Sequence, residues 1–175
     1  MQSFEAKLHQ ELYNRLLALG EIDEMLPEAV DIEAKWEQIG QSYIVDGVRE
    51  FSKFPMASLG WIMYVGMAVA QYWDDDWQIY SNIEDLYLYM RDKSGFDLLD
   101  EYVRGIVLGL KEPEFDATEE IVLGCAQKAY DLLMHEHLEP GTEIAFRGYV
   151  ACLHQLYMMG YSVQLKRLGY HMEKV

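Results

Sequence analysis

Basic residues are scarce in this chain: 14 Lys and Arg stand against 30 Asp and Glu, a formal charge of −16. Such a field repels a phosphate backbone and an anionic membrane surface, which argues against nucleic-acid and membrane partners. Its natural counterparts are basic proteins, cations or metal ions. Proline is rarer still, at four residues in 175. That scarcity, with apolar residues recurring at helical spacing, disfavours an all-β fold. Cysteine occurs twice, as Cys125 and Cys152, both inside apolar helical patterns. Neither a disulfide framework nor a CxxC redox motif is present. The sequence lacks GxSxG, HExxH, a Cys/His zinc spacing and a glycine-rich phosphate loop, and with them the commonest signatures of nucleophilic, zinc and nucleotide chemistry. The opening residues, MQSFEAKLHQEL, are charged and amphipathic and carry no signal-peptide core, so a cytoplasmic location is expected.

What is plentiful is apolar and aromatic. Half the chain is apolar, with thirteen Tyr, four Trp and ten Met. This composition excludes disorder, and the length suits one domain with a sizeable core. The dominant stretch is 55–81, PMASLGWIMYVGMAVAQYWDDDWQIYS. From Met56 to Ala70 only Ser58 is neither apolar nor Gly. Apolar character on every side marks a helix buried on every side. At about 15 residues, the apolar core is shorter than the ~20 a bilayer needs.

Pro55 suits a helix start, so the spacing predicts a helix over 55–80. Before it, Phe4, Leu8, Leu12 and Leu16 form one face of a first helix, capped by Ser3. Pro27 opens a second helix running to about Phe54, kinked if anywhere at Gly40 or Gly47. After it, Ser81 with Glu84, and Asp116 with Glu119, read as capping boxes. Asp97 caps a helix reaching Leu110. Thr142 caps a long last helix over 142–168, apolar on two sides, which should lie beside the 55–80 helix. The expectation is an all-α fold: a single-domain antiparallel bundle of six or seven helices over 1–175, without a linker, and with the 55–80 and 142–168 helices central.

Candidate sites gather around the acidic end of the central run. Asp74, Asp75 and Asp76 are consecutive and fan across about 200° on a helix. Antiparallel packing of the second and third helices would bring them near Glu33 and Glu37, which share a face. Hard cations such as Mg²⁺ prefer carboxylates of this kind. Acids on two neighbouring bundle helices resemble the all-α nucleotide pyrophosphohydrolases. That resemblance implies a metal-dependent phosphohydrolase holding Mg²⁺ with these five acids. The family pattern is ExxE on one helix and ExxD on the next; here the pairs read Glu33-x-x-x-Glu37 and DDDW.

A second constellation is aromatic. Trp61, Tyr64, Tyr72 and Trp77 lie close to the acids in sequence. Aromatic faces with carboxylates can hold a cationic group or serve a protein interface. The leading expectation is a non-enzymatic interaction or binding module, immunity- or adaptor-like. It would meet a basic protein partner or a second copy of itself as a dimer, with no cofactor. The phosphohydrolase is the alternative. A third option is a small-ligand pocket between the central and last helices.

Overall fold

A computed structural model describes residues 2–171. Among the described residues there are helices and no strands. Eight helices follow in order: α1 (Gln2–Ala18), α2 (Val30–Glu33), α3 (Trp36–Phe51), α4 (Pro55–Tyr80), α5 (Leu86–Ser94), α6 (Leu99–Tyr102), α7 (Glu114–His135) and α8 (Glu143–Arg167). Two of them, α2 and α6, are single turns, and α6 runs straight into a π-helical turn, Val103–Val107. Six long helices thus make the all-α bundle the patterning calls for. No helix among the described residues is long and apolar enough to cross a membrane.

The central pair is α4 and α8. Nearly every residue from Ser58 to Ala70 is buried, as is most of Gly148–Leu165. Neither helix has an amphipathic face to spare, because each is covered by neighbours all round. They cross backbone to backbone. A Cβ at Gly66 would overlap the carbonyl oxygen of Tyr157, and one at Gly160 would overlap that of Met63. Glycine is required at both positions by this close approach. At this crossing there is no room for the small-ligand pocket that was the third option.

Direction follows from the pairs in contact. Ser58 meets Tyr149 and Gln71 meets Gln164, so α4 and α8 run parallel. Consecutive long helices are antiparallel: Tyr43 of α3 reaches Ser58 of α4, and Lys35 reaches Ser81. Likewise Thr118 and Ala129 of α7 meet Arg167 and Cys152 of α8. The α1 helix lies along α8, with His9 bonded to Gln155 at 2.8 Å, and shields its outer side.

Several boundaries differ from the patterning. The stretch expected as one helix over 27–54 breaks at Ala34-Lys35, away from either glycine, and Pro27 precedes it in a loop. Gly47 instead makes room for the Tyr149 hydroxyl. Ser3 lies within α1, and Asp116 within α7. The cap of α5 is Asp85, whose carboxylate accepts from the Leu88 N–H at 3.0 Å, rather than Ser81. Thr142 does cap α8, accepting from the Ala145 N–H at 3.2 Å. The helix from Asp97 is cut short because Arg104 turns inward. Its guanidinium, 1 % exposed, pairs with Asp100 (3.3 Å) and Glu119 (2.9 Å) and lies 4.0 Å from the Phe115 ring. A buried cation demands such partners, and the π turn is where the backbone aims it.

Candidate functional site

The acidic end of α4 does lie against the early part of α2, as antiparallel packing requires. Trp73 donates its indole N–H toward Asp31 at 3.4 Å. Yet four of the five candidate acids have separate partners. Asp74 accepts from the Tyr170 hydroxyl (2.7 Å), Asp75 from the Gln71 amide (2.9 Å) and Asp76 from the Ile79 N–H (3.3 Å). Asp76 itself leaves the helical conformation, at φ −167° and ψ 81°, which interrupts α4 there. Glu37 is exposed. Glu33 is engaged by the His154 ring and accepts from the Tyr161 hydroxyl at 2.9 Å. Among the described residues, no three His, Cys, Asp or Glu side chains are grouped to hold a metal ion. The residues present therefore do not fit an Mg²⁺ centre.

Glu33 belongs instead to a latch. His154, Tyr157 and Tyr161 project from one face of α8. Tyr157 donates to the Ile32 carbonyl at 2.8 Å, and Trp36 stacks on His154 with centroids 4.9 Å apart. Burial pushes the Glu33 carboxyl up. The hydrogen bond and charge of His154 and the Tyr161 hydroxyl push it down further, to below its ordinary value. The one-turn α2 is too short to stand alone, and this latch is what holds it.

The four aromatic candidates divide. Tyr64 and Tyr72 are core residues, 1 % and 5 % exposed. Tyr64 has Trp61 edge-on at 5.8 Å and the Arg104 guanidinium 5.6 Å from its ring. Tyr72 stacks on Tyr80 at 4.2 Å. Trp61 is half-buried and donates to the Phe96 carbonyl at 2.8 Å. Trp77 is half-buried too, with the Lys35 ammonium 5.7 Å from its ring. None of the four lines either cavity described below. The two cysteines are inert by placement: burial pushes each thiol up to about 12.

A wide opening lies at the other end of the bundle. There the end of α3, the end of α7 and the start of α8 leave a groove of about 930 Å³. Phe51, Leu133 and Tyr149 form its base, and Val48, Met134 and Phe146 its walls. Those three walls stand 47 %, 42 % and 47 % exposed and line one opening together. Its base is rigid. Ser58 donates to the Gly47 carbonyl (2.7 Å) and accepts from the Tyr149 hydroxyl (2.6 Å), while Phe51 meets Tyr149 edge-on at 5.1 Å. Its mouth is the 136–142 turn, shaped by the positive φ of His137 and Gly141. The lining carries the carboxylates Glu139 and Glu143 and no Lys or Arg. Arg147, one turn further along α8, pairs with Glu143 at 2.5 Å. Val48, Phe51 and Phe146 belong to apolar stripes in the sequence. Those stripes run past the point where neighbouring helices cover them.

The chain has no significant match among family models, curated proteins or solved structures.

Proposed function

We propose that this protein is a non-enzymatic interaction module that takes the apolar face of a basic amphipathic segment of a protein partner into the α3–α7–α8 groove. One observation carries the reading. Exposed apolar walls stand over a rigid aromatic base, in a lining whose formal charges are both negative. Contiguous exposed apolar surface rimmed by polar groups marks an interaction site. A groove between helices is a common seat for an amphipathic helix. Charge then selects the occupant. Glu139, Glu143 and the net −16 favour lysine and arginine on the partner's polar side. A second copy of this chain would bring the same carboxylates and the same net charge, which opposes groove-to-groove pairing. The hydrolase alternative has no comparable support: four of its five acids have separate partners, and Glu37 is exposed apart from them.

The test uses a solvatochromic apolar dye and two helical peptides with one leucine face, one bearing lysine and the other glutamate on its polar side. The wild type takes up the dye, and Phe146→Glu or Met134→Glu removes uptake without changing the far-UV spectrum. The lysine peptide displaces the dye, less well as salt rises, and the glutamate peptide does not. Equal displacement by both peptides, independent of salt, contradicts the charge argument. No uptake by the wild type contradicts the groove. A particle mass that doubles with concentration, and returns to monomer in Phe146→Glu, would instead assign the groove to a second copy.

A further inference from the structure

A second cavity lies at the opposite end of the central pair, and its walls differ in kind. It encloses about 290 Å³ between the loop entering α2, Trp73 near the end of α4, Leu165 of α8 and Tyr170. Sixteen residues of α8, roughly 24 Å, separate Tyr149 in the groove from Leu165 here. We infer that this cavity is a subsite for the head and stem of an alkylguanidinium or alkylammonium cation, the chemistry of an arginine or lysine side chain. Its inner surface is apolar, with Ile32 and Leu165 both buried. One wall is aromatic: Trp73 and Tyr170 meet edge to face with centroids 5.1 Å apart. The lining includes the carboxylates of Glu28 and Asp31 and the His171 ring, and among the described residues no Lys or Arg. Both carboxylates are exposed, and neither is in an ion pair with a described residue. The neighbouring acid Asp23 is already answered by Lys166 (3.2 Å) and His171 (2.9 Å), and Asp74 accepts from Tyr170.

Each feature selects against other ligands. An anion meets two carboxylates, and His171, the basic side chain in the described lining, is already paired with Asp23. A neutral apolar group would fill the interior yet leave Glu28 and Asp31 unanswered. A long-stemmed cation lays its methylenes on Ile32 and Leu165 and its head beside the indole of Trp73 and the Asp31 carboxylate. The indole N–H is directed at Asp31, so it reports on that carboxylate.

The experiment follows the Trp73 indole N–H resonance, identified by its loss in Trp73→Phe, during titration with Nα-acetylarginine amide, Nα-acetyllysine amide and Nα-acetylnorleucine amide. The two cations shift the resonance saturably with millimolar affinity, and norleucine does not. Asp31→Asn together with Glu28→Gln weakens cation binding about fivefold or more, while the melting temperature stays within a few degrees. Equal shifts from norleucine overturn the proposal. So do equal affinities in the double variant, or no saturable shift up to about 50 mM of either cation. Groove variants such as Phe146→Glu leave this titration unchanged, so the two sites succeed or fail separately.

Discussion

Two missing side chains decide how α4 and α8 meet. Gly66 and Gly160 face each other's backbones, so the cost of alanine there is set by main-chain atoms that cannot step aside. Gly66→Ala should lose about 1–3 kcal/mol in urea unfolding, despite the helix propensity it gains. Gly105→Ala is the contrast: the nearest atom to its new methyl, on Phe115, lies 3.7 Å away. That variant should stay within about 1 kcal/mol of the wild type. Equal losses at the two positions would show that the close crossing is not what glycine serves. Helical glycines in an apolar run are readable as close approach. Which partner approaches was readable only in outline, from the two widely apolar helices.

Among the elements, α2 is the most conditional. Its single turn is held by Glu33, with His154 and Tyr161 as partners. The Glu33 carboxyl lies below its ordinary 4.5 in the folded state. Its contribution is therefore fully present above 4.5 and is lost as pH falls through the lower folded value. Melting temperatures of the wild type and Glu33→Gln should differ at pH 6, and the gap should close as pH falls below 4.5 through the lower folded value. A gap that stays constant down to pH 3 would mean that the carboxylate charge plays no part.

The same helices show where sequence reading succeeds and where it stops. Pro55 and the apolar run locate α4 to the residue, and Thr142 locates the start of α8. Both signals are local and have no rival nearby. The Ser81–Glu84 capping box is a weaker signal, and Asp85 caps α5 instead through its bond to the Leu88 N–H. The π turn at Val103–Val107 answers a tertiary demand, the burial of Arg104 between Asp100 and Glu119, which no propensity encodes. The acids at 74–76 attract notice in sequence. A metal site, however, needs convergence across helices, and their rotation directs each to its own partner. The groove was hidden for the opposite reason. Val48 and Phe146 look like core, and their exposure comes from a neighbour that ends too soon.

For the whole molecule, charge and shape act together. A net −16 spread over the surface keeps like molecules apart and draws basic ones in. The apolar groove supplies the contact area that charge alone does not. In the proposed function, the acidic surface steers the partner and Phe51, Met134, Phe146 and Tyr149 retain it.

The most direct measurement is a map of backbone and methyl chemical shifts as the lysine-faced peptide is added to labelled protein. Shifts concentrated at Val48, Phe51, Leu133, Met134, Phe146 and Tyr149, and abolished in Phe146→Glu, are the predicted result. Shifts centred on Trp61, Trp77 or Asp74–Asp76, with the groove silent, would contradict it.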